Sequence, residues 1–258
     1  MKTFGIWAWR PTAADLRLAR EIGFDRVDIM VNELSKQRTP ISFAESLSIS
    51  ADALVGSAKA ALDLGFREVH FTAWAMPHVT YMAYAGDNLQ HLCGLAGAHG
   101  ILLDAEEPWT QAGKPDYGSA ASTFFAQAKG CRVGVTGIGW CDTDKLGPLM
   151  RNADYGCPQV YVVRERRVKV LSHAGIPAVL KHWAQFGKPL HVGLAAYAQA
   201  GIEGHTTKSA MRTTLQAVES ACDGVSYWSL RQVKGNALVR ETLRKMIADS
   251  RAAETRVA

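Results

Sequence analysis

The feature that most constrains this chain is a unit that recurs from end to end: an amphipathic helical run, a glycine, then a short β-rich run. It is clearest where Leu18-Ala-Arg-Glu-Ile-Gly23 precedes Phe24 to Val31, and where Ala60-Ala-Leu-Asp-Leu-Gly65 precedes Phe66 to Trp74. Gly100, Gly130, Gly156, Gly187 and Gly224 stand just ahead of further such runs. Helices commonly end on a left-handed residue, which glycine adopts without a Cβ penalty, so these glycines read as the points where helix turns into strand. Counting the opening run, the strands fall near residues 3–8, 25–31, 68–74, 101–106, 131–136, 158–163, 189–195 and 224–230.

Strands that alternate with helices pair in parallel, and Ile101-Leu-Leu103, Val160-Tyr-Val-Val163 and His191-Val-Gly-Leu194 are apolar enough to be covered on both faces. Eight repeats in 258 residues predict one (β/α)8 barrel domain spanning residues 1–258. An open doubly wound sheet is the competing architecture, but no Gly-rich phosphate fingerprint follows the first strand. Helices are expected to start at Thr12 or Asp15, at Ser50 and at Thr143, with further helices over Ser119 to Ala128 and Thr206 to Ala221. Two long stretches, Asn32 to Ser50 and Glu107 to Gly118, follow strand C-termini, the rim where barrels of this kind carry their chemistry.

Strand four reads Gly100-Ile-Leu-Leu-Asp-Ala-Glu-Glu-Pro-Trp109. The two-residue period puts Leu102, Asp104 and Glu106 on one face, so both acids point into the barrel mouth. Carboxylates one strand step apart, roughly 6–7 Å between Cα atoms, resist double ionisation. One pKa should rise and leave a proton available near neutrality. The competing explanation is an acidic strand end paired with basic neighbours or water. Against it stand the aromatics that other strand ends bring to the rim: Trp7 and Trp9 from strand one, Trp74 from three, Trp109 beyond four, Trp140 after five, Tyr161 from six, Tyr197 after seven, and Tyr227 with Trp228 from eight. Sugar rings present apolar C–H faces ringed by hydroxyls, which suits aromatic platforms with a few polar groups.

Asp104 and Glu106 at the end of strand four, Gln159 and Tyr161 on strand six and the aromatic pair on strand eight resemble glycoside hydrolase family 25 lysozymes. The strand-four acids are also similar to those of family 18 chitinases, without the fuller Asp-x-x-Asp-x-Asp-x-Glu motif. The resemblance implies that Glu106 protonates the glycosidic oxygen while Asp104 orients the substrate's N-acetyl group as internal nucleophile, with Tyr161 or Tyr197 bonding the acetamido oxygen. In that scheme the second carboxylate need not attack the sugar. The family's early Asp is absent, since strand one ends Gly5-Ile-Trp-Ala-Trp-Arg10; Asp28 on strand two is the candidate substitute. Glu107 competes with Glu106 for the donor role.

The implied partner is a polysaccharide, peptidoglycan first and a chitin-like chain second, and no cofactor or metal is called for. The net charge of +5 favours an anionic partner. Arg164-Glu-Arg-Arg-Val-Lys169 lacks the interleaved aromatics of a single-strand nucleic-acid surface and reads as a solvated face, so no nucleic acid is called. No apolar stretch approaches the roughly 18 residues of a membrane span, so no stable membrane insertion is expected. The start shows no cleavable leader pattern, which suggests synthesis in the cytoplasm and, for a phage-type endolysin, action on the wall after release. The five scattered cysteines carry no zinc or redox spacing and read as free thiols. Two other functions compete. Gly23-Phe-Asp-Arg-Val-Asp-Ile29 resembles strand two of metal-dependent sugar isomerase and epimerase barrels, although His70 and His191 lie early in their strands and read as structural. A non-catalytic carbohydrate-binding barrel would keep the aromatics and dispense with the acids.

Overall fold

The computed structural model describes residues 2–32, 43–106, 109, 115–162, 172–196 and 206–257. Eight strands, β1 (Thr3–Trp9), β2 (Arg26–Met30), β3 (Glu68–Trp74), β4 (Gly100–Asp104), β5 (Arg132–Ile138), β6 (Tyr155–Val160), β7 (His191–Ala195) and β8 (Gly224–Trp228), close in sequence order, every neighbouring pair parallel and β8 returning to β1. The chain is therefore a (β/α)8 barrel. The helices are α1 (Ala13–Ile22), α2 (Phe43–Ser46), α3 (Ala51–Asp63), α4 (Val79–Ala96), α5 (Tyr117–Gln127), α6 (Thr143–Asn152), α7 (Ile176–Ala184), α8 (Thr207–Glu219), α9 (Leu230–Gly235) and α10 (Ala237–Val257). None of them is long and apolar enough to cross a membrane.

Local chemistry sets the helix ends. Thr12 caps α1 in a reciprocal box with Asp15, and Ser50, Asp116, Asp142 and Thr206 accept backbone N–H bonds at the starts of α3, α5, α6 and α8. Gly23, Gly65, Gly130 and Gly187 have positive φ at the turns into the next strands, as the repeat implied. Three glycines do something else: Gly100 and Gly224 open strands, and Gly156 is the second residue of β6. The left-handed residue before β4 is Gly97. Space explains the correction. A Cβ on Gly100 would meet the Arg132 carbonyl oxygen at 2.3 Å, one on Gly224 the His191 ring at 2.6 Å, and one on Gly156 the Trp183 ring at 3.0 Å.

Strand six lies three residues earlier than its sequence suggests. Tyr155-Gly-Cys-Pro158 reads as a turn, yet Gly156 bridges Leu190 and the regular pairing with β7 resumes at Gln159 with Gly193. Pro158, which has no N–H to give, falls in the gap between those two points.

Successive side chains alternate between two environments. Outward residues such as Phe4, Ile6, Val27, Ile29, Ile101, Leu103, Val133 and Val135 belong to the large shell between sheet and helices. A second, smaller apolar group of Trp7, Met30, Leu102, Tyr155 and Cys157, with Trp228 packed against it, fills the barrel's inside. Its side chains are bulky for a barrel of this size, and glycines opposite them supply the room. A Cβ on Gly134 would sit 2.1 Å from the Tyr155 ring, and one on Gly193 would sit 3.0 Å from Trp7.

Candidate active site at the barrel mouth

Beneath the mouth lies a charged network. Arg26 and Asp28, both effectively unexposed, pair at 2.7 Å, and Arg26 also donates to the Tyr155 hydroxyl at 2.8 Å. Ser226 donates to Asp28 at 2.7 Å and lies 2.8 Å from Nε2 of His191. Tyr155 has its own proton to give to Nδ1 of His70, 3.0 Å away, which leaves the His70 proton on Nε2, 3.3 Å from Glu68. Burial and the Arg26 charge push His70 down to about 4 and His191 well below its usual range, so both imidazoles are neutral. Glu68, facing Nε2 of His70 and flanked by Arg26 and Arg132, falls to about 2 against the opposing effect of its burial.

Above this layer the interior face of β4 carries Asp104, in register with Trp74 on β3 and Thr136 on β5. Gln159 reaches from β6 to donate to Asp104 Oδ1 at 3.3 Å and to the Thr136 hydroxyl at 3.4 Å. Asp104 is nearly unexposed, whereas Glu106, two residues on, is half-buried. Burial, and next the Glu106 charge, raise the Asp104 pKa well above the carboxylate range, while the Gln159 bond works in the other direction. The arrangement is a buried, proton-holding acid beside a more accessible one, at the end of the barrel where catalytic groups collect in this fold.

The aromatics divide into two groups. Trp7, Trp9 and Trp228 gather on one wall, Trp228 lying 5.9 Å from Trp7 and 6.2 Å edge-on to Trp9. Trp9 is exposed, Trp228 is partly so, and Trp7 is covered beneath them. Trp74, partly exposed, stands beside Asp104, and Tyr161 follows the end of β6, half-buried. Tyr227 points the other way, into the helix-facing shell against Phe24, as its odd position relative to Trp228 requires. Trp109 is fully buried, stacked on Tyr117 with its indole N–H donating to the Lys145 carbonyl. Neither ring is a platform in the mouth. Asp28, the candidate for the missing strand-one acid, lies a layer too deep and is already bonded by Arg26 and Ser226. Glu107 and Tyr197 lie outside the described residues.

Arg26, Glu68 and Tyr155 of the deep network escaped the sequence reading, as did three further polar residues. Thr136 completes the Gln159 clamp. Ser226 links Asp28 to His191. Asn32, buried just past β2, accepts from the Trp74 N–H at 3.0 Å and donates to the Tyr81 hydroxyl at 2.8 Å, fixing where β3 delivers Trp74. The available signal was register: Asn32 continues the interior series Arg26, Asp28, Met30. Among the described residues, no group of three or more His, Cys, Asp or Glu side chains is placed to hold a metal ion.

No known family profile matches the chain, and no curated protein does. Solved structures match along nearly its whole length. A GH18 chitinase from Flavobacterium johnsoniae is 12% identical, with a TM-score of 0.61 over 96% of this chain and 94% of that one. A xylanase and α-amylase inhibitor protein from Scadoxus multiflorus is 12% identical, with a TM-score of 0.63 over 94% and 98%. An endo-1,4-β-D-mannanase from Thermotoga petrophila is 12% identical, with a TM-score of 0.55 over 89% and 88%. At such identity the likeness establishes the barrel fold, which these proteins put to both hydrolytic and inhibitory use.

Proposed function

We propose that the chain is a glycoside hydrolase acting on an N-acetylated polysaccharide, peptidoglycan before chitin, with Glu106 as proton donor and Asp104 as its assisting partner. The observation that carries this reading is the nearness of Glu106 to a buried Asp104 whose pKa it helps raise and which Gln159 holds in place. The chitinase and mannanase among the structurally similar proteins support the class of reaction.

In this mechanism a sugar chain lies over Trp9 and Trp228, and Glu106 gives its proton to the departing glycosidic oxygen. Asp104, kept protonated by burial, first shares its proton toward Glu106. As positive charge develops at the anomeric carbon, Asp104 passes its proton to the newly ionised Glu106 and, as a carboxylate, orients the acetamido oxygen that attacks that carbon. Gln159 holds Asp104 in place throughout by binding Oδ1. Water then opens the resulting ring intermediate, giving its proton to Glu106 as Glu106 returns the earlier one to Asp104, which restores both acids. Tyr161 is the candidate partner of the acetamido oxygen, and Trp74 borders the same sugar.

The test is turnover of peptidoglycan and N-acetylglucosamine oligomers, with product masses. Glu106→Gln should lower kcat by about 10²-fold or more and leave oligomer affinity within about twofold. Full activity in that variant would shift the donor role away from Glu106. The inhibitor protein of the same fold favours a second reading, a non-catalytic binding barrel. Tight oligomer binding without turnover in the unmutated chain would establish that alternative.

A further inference from the structure

At the other end of the barrel, β4 and β5 start side by side: Gly100 pairs with Arg132, so closely that a Cβ on Gly100 would collide with the Arg132 carbonyl. Two cysteines flank that point. Cys93, in the last turn of α4, has its sulfur 3.6 Å from the Gly100 carbonyl oxygen, and Cys131 immediately precedes Arg132. The Cys93 thiol donates to that carbonyl, and the Gly100–Arg132 pairing sets Cys131 beside it, close enough for each sulfur to perturb the other. Cys93 is buried and Cys131 is partly open to solvent. We propose that Cys93 and Cys131 are a reactive dithiol that closes to an intramolecular disulfide on meeting a small disulfide of the glutathione type, pinning the end of α4 to the start of β5.

The two sulfurs have different parts to play. The neighbouring Cys93 thiol brings Cys131 down to about 7, so at neutral pH a large share of it is thiolate, the form that attacks. Cys131 beside it, and next its burial, hold Cys93 as a thiol. Burial also raises Cys141 to about 12, Cys222 to about 11 and the fully buried Cys157 beyond that range, which leaves Cys131 as the preferred nucleophile. In the first step the Cys131 thiolate attacks one sulfur of glutathione disulfide, forming a mixed disulfide and expelling one glutathione thiolate. In the second, Cys93 loses its proton to that thiolate and attacks the Cys131 sulfur, expelling the second glutathione, which takes its proton from water. The protein loses two electrons and the reagent gains them. No spacing motif announces the pair, because the 37 positions between the cysteines are bridged only by the fold.

The experiment uses the whole chain at pH 7.5 with glutathione disulfide, read by intact mass, thiol count and peptide mapping. The expected product has lost two hydrogens, carries no glutathione, links Cys93 to Cys131 and melts about 5–10 °C higher than the reduced form. Cys93→Ser should stop at a stable glutathione adduct on Cys131, and Cys131→Ser should not react at this site. Iodoacetamide should label Cys131 about tenfold faster than any other thiol. A wild-type chain that stops at a mixed disulfide, links other cysteines or leaves all five thiols free overturns the proposal. Because the pair lies at the opposite end from Asp104 and Glu106, these readouts stand whatever the chain hydrolyses.

Discussion

Replacing Asp28 separates a structural from a functional role for the one acid that sequence resemblance and three-dimensional structure place differently. Asp28 accepts from Arg26 Nε at 2.8 Å, from its terminal nitrogen at 2.7 Å and from Ser226 at 2.7 Å, all in the barrel interior. In Asp28→Ala the guanidinium stays buried and keeps only Glu68, 3.4 Å away and 24% exposed, as an anionic neighbour among the described residues. Stranding one member of a buried pair typically costs about 3–5 kcal/mol, a fall in melting temperature of roughly 10 °C for a chain of this size. Asp28→Asn keeps the shape but not the charge, and should cost about 2–3 kcal/mol. Removing both charges with Arg26→Met/Asp28→Leu should be less destabilising than the sum of the single changes, by at least about 2 kcal/mol. Urea unfolding of the wild type, Arg26→Met, Asp28→Leu and the double variant forms the cycle. The reasoning is refuted if Asp28→Asn loses hydrolytic activity while its stability stays within about 0.5 kcal/mol of wild type, because Asp28 would then act on substrate.

Asp104 is a carboxyl whose folded pKa lies above its unfolded value, so the folded state holds the extra proton and stability falls as pH rises from about 4 through the folded pKa. Asp104→Asn should therefore gain stability relative to wild type between pH 5 and pH 7 in parallel denaturant titrations while losing activity; equal stability at both pH values would contradict the raised pKa. His70 and Glu68 act in the opposite sense. The neutral imidazole contributes stability that is lost as pH drops from 6.5 toward about 4, and Glu68 contributes stability lost from 4.5 toward about 2. His70→Gln should flatten the upper part of that acid limb, as thermal melts between pH 7 and pH 4 can measure. Gly134→Ala should cost about 3 kcal/mol or more, because its methyl falls on a Tyr155 ring that Arg26 and Arg132 cover at 5.3 and 4.9 Å; a loss under about 1 kcal/mol would mean that the ring moves freely.

The barrel was legible because its signal is local and repeated. A capped helix start at Thr12 or Ser50 and a left-handed glycine at Gly23 or Gly65 are decided within a few residues, and eight such units leave few ways to close. The errors arose where a residue answered to a distant partner. Gly100, Gly156 and Gly224 look like helix terminators in sequence but are small because Arg132, Trp183 and His191 crowd them. The β6 boundary failed for the same reason: Gly156 and Pro158 look like a turn unless the neighbouring β7 and Trp183 are known.

The mouth was legible only as far as alternation along a single strand could take it. Period two puts Asp104 on the face shared with Leu102, while β4 ends there and Glu106 follows in a bend; on β8 the same rule separates Trp228 from Tyr227, since adjacent residues cannot both face inward. Depth is another matter, because it depends on the stagger between strands. Asp28 and Asp104 both point inward, but Trp7 aligns with Asp28 and His70, whereas Trp74 aligns with Asp104 and Thr136. That stagger sinks one aspartate into an ion network and lifts the other to the rim. The physical distinction between them is therefore the partner each one meets: Asp28 is neutralised by a buried arginine and held by Ser226, whereas among the described residues Asp104 meets the Gln159 amide and another acid, neither of which neutralises its charge. An acid with no countercharge among the described residues has its pKa raised, and for that reason the proposed chemistry is assigned to Asp104 and Glu106.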